Sequence, residues 1–421
     1  MAGVFSHTPT STNDATKFAG QPLIFTCADS ASTPDRYIVQ VYERITVGSA
    51  SGQTDLGQFY LTPNSNGVAH FDLSNVIDGR LNAPTTSFFS ENIHETDYSS
   101  TGTALPSNDR VMREYYVTLS TYRGGTITLD TNATVAVWAG AVQVSQGYEP
   151  DAEAPYHFTA STSKGFLTDR YWDSSTDIEA TMADEDQGVW SIAIPDQWQS
   201  PPSNITNAVY TLYHSGGTST KTLTNVVDYT TVNWNYTTGP LAPLNVSVFF
   251  GASWLPTWTR YEIVFRNNLT SNISNKYIVH KDCRPYKHDP VQLAWANTVG
   301  GWDYLRFDGR NIKTVNSETK MYRKTIGSYG ATAFGFNAWD RQDTPYHVTA
   351  REQYALRNQF FTASERDLLQ YAFRSKNVMF RVGTGSWLPC TIQTNSYSVQ
   401  PAASKLFEVS FNIELAQEIR C

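Results

Sequence analysis

From Lys405 to Leu415 the chain reads KLFEVSFNIEL. Phe407, Val409, Phe411, Ile413 and Leu415 fall on one side of an extended backbone, and Glu408, Ser410, Asn412 and Glu414 on the other. Side chains alternate between the faces of a strand, so this pattern specifies a β-strand with one dry and one wet face. The same period of two dominates the rest of the chain. RYIVQVYERITV (Arg36–Val47) sets Tyr37, Val39 and Val41 against Ile38, Gln40 and Tyr42, as expected of a strand covered on both faces. REYYVTLSTYRGGTITL reads as two strands joined near Gly124–Gly125, followed by a strand in TVAVWAGAVQV (Thr134–Val144). GVAHFDLSNVI (Gly67–Ile77) ends a strand and opens a helical turn at Asp72 or Ser74. Further on, AVYTLYH, TKTLTNVV, TTVNWNY, LNVSVFF, RYEIVFR and NKYIVHK read as short strands separated by Gly, Pro, Asn and Ser.

A chain of 421 residues is too long for one ordinary core. The expectation is a mainly β protein: tandem β-sandwich domains followed by a small α+β domain. The first sandwich takes residues 1–145, and a Pro- and acid-rich linker takes 146–156 within SQGYEPDAEAPY. A middle sandwich-like domain takes 157–312, and the C-terminal domain 313–421. In the last of these, TASERDLLQYAF carries a capping box between Thr362 and Glu365. Leu368, Leu369, Ala372 and Phe373 share one helix face, and Arg374 and Lys376 complement its C-terminal end.

The densest segment is VQLAWANTVGGWDYLRFDG (Val291–Gly309). Two strand-like runs flank a bend, for which Asn297, Gly300 and Gly301 are suited by side-chain hydrogen bonding and permissive backbone. A structural β-hairpin accounts for every conspicuous residue: Trp295 and Trp302 as core, Asp303 or Arg306 on a solvent face. The alternatives are a sugar platform built from Trp295 and Trp302, and catalysis by Asp303. Two other apolar stretches are candidate interface or ligand platforms. One is VFFGASWLPTW, with Phe249, Phe250, Trp254 and Trp258. The other is TIGSYGATAFGFNAW, with Tyr329, Phe334, Phe336 and Trp339.

Asp184, Glu185 and Asp186 cluster acidic oxygens of the kind a hard cation takes, but without the D-x-D-x-D-G spacing, so no metal is expected. HExxH, GxSxG and phosphate-loop patterns are missing, and no catalytic or cofactor-binding residue is assigned. A glycosidase needs only two carboxylates ~5–10 Å apart, which a sequence alone does not reveal. With 31 basic and 39 acidic residues and no basic stripe, nucleic acid is not an expected partner. No window approaches 18 apolar residues, so no membrane-spanning helix is expected. The N-terminus lacks a basic-then-apolar leader, and Cys27, Cys283, Cys390 and Cys421 form no CxxC pair; free thiols in a reducing compartment are expected.

The order of these features resembles a known group. PLIFTCADSASTPDRYIVQVYE leads to GVAHFDLSNVI; a middle domain closes on Trp295, Asn297, Gly300, Gly301 and Asp303; and the chain ends in LLQYAFRSKNVMFRVGTGSWLPCTIQTNSYSVQPAASKLFEVSFNIELA. This succession resembles the tandem-β virion structural proteins of tailed bacteriophages, in the tail, tail tip or collar, of the type found in phages of Bacteroidetes and marine bacteria. The resemblance implies a non-enzymatic, homo-oligomeric virion component assembled in the host cytoplasm, with copies of itself and other tail proteins as partners. The rival expectations are a receptor- or glycan-binding tail module and, behind it, a polysaccharide-degrading tail enzyme.

Overall fold

A computed structural model of the chain describes residues 4–8, 16–18, 23–29, 33–44, 53–81, 112–138, 165–170, 177–194, 205–224, 235–267, 271–284, 286–329, 332–335, 341–393, 407–416 and 419–420. The fold is mainly β. It divides into two compact units. One contains residues 1–284, 295–304 and 374–376, the other 285–294, 305–373 and 377–421. The expected 146–156 linker and the end of the Thr134–Val144 strand lie outside the described residues.

The N-terminal part of the first unit holds β1 (Val4–Thr8), β2 (Thr16–Phe18), β3 (Ile24–Ala28), β4 (Arg36–Arg44), β5 (Thr54–Leu61), β6 (Val68–Asp72), β7 (Met112–Arg123) and β8 (Thr126–Trp138). A helix, Ser74–Leu81, follows β6 where the helical turn is expected. The strands form two sheets, ordered β1-β3-β6 and β2-β8-β7-β4-β5. Phe25, Cys27, Ala69 and Phe71 from the first meet Tyr37, Val39, Val41, Tyr115, Val117 and Leu119 from the second in one core. That is a β-sandwich. The far face of β4 is only partly covered: Ile38 is buried, while Gln40 and Tyr42 are half-buried. Its apolar Tyr42 packs near the Tyr116 ring, over which Arg44 also lies.

The same unit continues with β9 (Ile178–Met182), β10 (Val189–Ile194), β11 (Ile205–His214), β12 (Gly217–Thr224), β13 (Asn235–Pro240), β14 (Trp258–Asn267) and β15 (Tyr277–Lys281). A five-stranded sheet runs β12-β11-β14-β15-β9, with β9 parallel to β15, and β10 pairs with β13 separately. LNVSVFF is not a strand but the end of a helix, Pro243–Phe250. Pro243 at the first helical turn and the i, i+3, i+4 spacing of the buried Val246, Phe249 and Phe250 override the β preference of the valines. Aromatic rings fill this core: Phe166 lies 4.7 Å from Phe265 and 5.4 Å from Tyr277, and Tyr210 lies 5.0 Å from Phe249. Their polar ends are paired, as burial requires: Trp190 Nε1 donates to Tyr210, whose hydroxyl donates to the Pro240 carbonyl at 2.9 Å.

The remaining strands are β16 (Val291–Ala296), β17 (Trp302–Phe307), β18 (Ile312–Arg323), β19 (Ser328–Tyr329), β20 (Phe334–Gly335), β21 (Asp343–Phe361), β22 (Val378–Val382), β23 (Leu388–Ile392), β24 (Phe407–Leu415) and β25 (Ile419–Arg420). The large sheet is ordered β17-β16-β22-β23-β24-β21-β18, with β25 on β21. Val291–Ala294 and Leu305–Phe307 group with the C-terminal strands, and residues 295–304 with the first unit. The helix Ala363–Arg374 buries Leu368, Leu369 and Ala372, and Phe373 and Phe307 both contact the Phe411 ring. Its capping box forms as expected. The Glu365 N–H donates to Thr362 Oγ1 at 3.2 Å, and the Thr362 N–H donates to the Glu365 carboxylate at 2.9 Å.

Candidate functional site

The feature left over after the cores are built is a two-stranded ribbon. β18 and β21 pair antiparallel from Ile312↔Ala355 to Arg323↔Asp343, with one bulge after Lys320. All twelve residues of β18 are exposed. At ~3.4 Å per residue the paired stretch is about 40 Å long. β18 ends the sheet and has β21 as its only described neighbour. β21 pairs on its other side with β24 from Gln353 to Phe361 and with β25 at Thr349 and Ala350. From Asp343 to Val348, β18 is therefore its only described partner strand.

The base of the ribbon is anchored by charge-assisted contacts. Arg351 and Gln353 both donate to the Glu414 carboxylate, at 2.9 and 2.8 Å, and these bonds hold its pKa below the usual carboxylate range. Lys313 pairs with Glu352 at 2.7 Å. The distal half carries apolar side chains in water instead: Met321 is 59 % exposed, Tyr322 49 % and Tyr346 63 %, with the two tyrosine rings 6.3 Å apart. Paired residues of an antiparallel ladder share a face, so Thr319 and Met321 line up with Val348 and Pro345 as a short, mild apolar stripe. Between the strands, β19 and β20 pair Tyr329 with Phe334, and Phe334 is 54 % exposed. Gly327 is required here: its φ is +85°, and a Cβ would lie 2.5 Å from the Gly335 carbonyl oxygen.

Most of the residues singled out from sequence lie elsewhere. Phe249, Phe250 and Trp258 are core, at 0, 3 and 1 % exposure, and cannot form a platform. Trp254 is half-buried, its ring 5.5 Å from Trp258 and 6.1 Å from Phe250. Tyr329 and Phe334 face each other in the separate β19–β20 pair, within the connection between β18 and β21, whereas Phe336 and Trp339 lie outside the described residues. Asp184 accepts from Trp258 Nε1 at 2.6 Å and pairs with Lys281, while Asp186 accepts the Ala183 N–H; the acidic triplet shapes a turn. Met321, Tyr322 and Tyr346 carry no local sequence signal, because β18 is exposed along its whole length.

The tryptophan-rich segment is the expected hairpin. β16 and β17 are hydrogen-bonded neighbours, and the Asn297 side-chain oxygen accepts from the Val299 and Gly301 N–H groups. Trp295 and Trp302 are buried, which removes the sugar platform. Asp303 is not on a solvent face but 1 % exposed. Its carboxylate accepts from the Thr168 hydroxyl, the Asp169 N–H at 2.8 Å and Asn297 Nδ2 at 3.1 Å. Asp169 in turn accepts from the N–H and hydroxyl of Thr298. Arg170 donates to the Tyr304 carbonyl and opposes the burial that raises the pKa of Asp303. Burial, and then the Asp303 charge, push Asp169 up to about 7. Two carboxylates thus lie together, yet their oxygens are engaged in clasping residues 167–170 to the hairpin. The pair is a structural clasp.

No protein family and no curated protein matches the sequence. Among solved structures the chain is similar to a marsupial T cell receptor at 9 % identity, the match covering 100 % of this chain and 98 % of that one with a TM-score of 0.18.

Proposed function

We propose that this chain is a non-enzymatic structural component of a bacteriophage virion, an oligomeric tail, tail-tip or collar protein whose copies grip one another through the β18–β21 ribbon. The ribbon carries the reading. An isolated two-stranded hairpin is marginal in water, and this one also holds Met321, Tyr322 and Tyr346 against solvent, with Phe334 exposed in the connection at its end. Exposed apolar residues on an unpaired edge are what a protein–protein contact covers. The resemblance in feature order to phage tail proteins supplies the virion setting, with assembly in the host cytoplasm and other tail proteins as further neighbours.

Native mass measurement with negative-stain imaging tests this. Defined oligomers or rings are the expected result. A strictly monomeric protein would turn attention to the second reading, a glycan- or receptor-binding tail module. That reading is favoured by a specific observation: the exposed Tyr322, Tyr346 and Phe334 rings are suited to stacking on a sugar. A glycan screen on wild type and Tyr322→Ala/Tyr346→Ala decides it. The polysaccharide-degrading alternative gains nothing from the Asp169–Asp303 pair, whose oxygens are already engaged.

A further inference from the structure

We infer that the ribbon of one copy adds, as a strand, to the free edge of β9 in a neighbouring copy; this rests on the reading that copies meet through the ribbon. The inference starts from charge. From Ile312 to Phe361 the chain has seven basic residues and four acidic ones, a net of +3, in a protein whose formal net charge is −8. The compensating acid is concentrated. Residues 145–196 hold eleven acidic residues and two basic ones, a net of −9. Within that segment lies β9, the last strand of its five-stranded sheet, with β15 as its only described neighbour. Exposed Asp177 and Glu179 sit beside and on it, with Asp184, which also pairs with Lys281, just beyond.

Among the described residues both strands thus present an open edge, and their charges are opposite. β9 has five residues, matching Thr319–Arg323 at the distal end of β18, with Lys320, Arg323 and Lys324 there to meet the acids. Main-chain hydrogen bonds between edges supply affinity, and the flanking charges select the partner. The same charges argue against the symmetric choices. Two β18 edges would set Lys320, Arg323 and Lys324 against their own copies, and two β9 edges would oppose Glu179 to itself. What sets β9 apart is its flanks: Asp177 and Asp184 lie within two residues of its ends beside its own Glu179, whereas β12 carries Lys221 and no acid and β5 carries Asp55 with no acid beside it. Because ribbon and receptor are different surfaces, the contact is head-to-tail. Repeated, it closes a ring or extends a filament.

The experiment is a cysteine cross-link between two populations in a Cys283→Ser/Cys421→Ser background, which leaves only the buried Cys27 and Cys390 besides the introduced thiol. One population carries Thr181→Cys on β9. The other carries a single cysteine at Thr319, Lys320 or Met321, and the two are distinguished by tag. The expected result is an oxidised dimer containing both tags from at least one pair. Alongside it, Lys320→Glu or Glu179→Lys alone should weaken self-association about tenfold, and the two in one chain should restore it. If wild type oligomerises but no pair cross-links and the double variant is no better than either single one, the β9 assignment is overturned while the ribbon reading stands. If wild type never self-associates, the reading beneath it fails.

Discussion

At Asp303 the sequence misleads for a physical reason. Alternation in WDYLRF puts Trp302 and Tyr304 on one face and Asp303 on the other, but Trp302 through Leu305 are all buried, so the period of two cannot say which face is wet. The groups that satisfy Asp303 come from Thr168 and Asp169, more than a hundred residues away in sequence, and no local pattern announces them. The hairpin itself was legible, because Asn297 and the Gly300–Gly301 pair are turn chemistry within a few residues. Two predictions belong here. Asp169 has a folded-state pKa near 7, above its usual value, so ionisation costs stability as pH rises through that range and the cost disappears as pH falls below ~4. Asp169→Asn keeps the shape, and Thr298 Oγ1 can accept from the new amide. Relative to wild type, the variant should be more stable by about 1 kcal/mol at pH 8, with the gap closing toward pH 4 in paired thermal melts. At Gly301 the limit is steric: an added Cβ would lie 2.0 Å from the Leu167 carbonyl oxygen. Gly301→Ala should cost about 3 kcal/mol in urea unfolding, as a backbone clash inside a buried clasp.

Elements differ in how much of themselves they write into the sequence. The helix Ala363–Arg374 was legible down to its cap because every signal is local, and Thr362→Ala should remove about 1 kcal/mol by the same urea assay. β24 was largely legible because it separates buried Val409, Phe411 and Ile413 from exposed Ser410 and Asn412; Glu414, expected on the wet face, is instead buried against Arg351 and Gln353 of β21. The ribbon strand β18 was not. IKTVNSETKMYR has no buried face, and a strand with no dry side has no reason to alternate. The Pro243–Phe250 helix failed in the opposite sense. It is buried on most of its surface, so its apolar run looked like a covered strand, and only Pro243 marked a helix start. Sequence pattern reports contrast between faces, and elements lacking contrast fall outside it, whether wholly wet or nearly dry. The functional candidate lies in the wet class.

For the whole molecule this separates stability from assembly. The cores lie elsewhere, around Phe25 and Tyr37 in the N-terminal sandwich and around Phe166 and Phe265 in the next, while distal β18 and β21 bury little. Shortening the ribbon should therefore leave folding intact. Lys320 and His347 are a paired position, so joining them through Asn-Gly gives a two-residue hairpin turn of the twist that strands favour. This deletes Met321, Tyr322, Phe334 and Tyr346 together with Arg323 and Lys324. The shortened chain should melt at the wild-type temperature yet remain monomeric where wild type assembles. Sedimentation at low and high salt then separates the contributions. The charged part of wild-type association weakens as added salt brings the Debye length to about 3 Å near 1 M, whereas the strand pairing and apolar contact persist. A shortened protein that assembles as well as wild type would move the contact off the ribbon. One that loses its melting transition would make the ribbon part of the fold, and its exposed aromatics a property of the monomer.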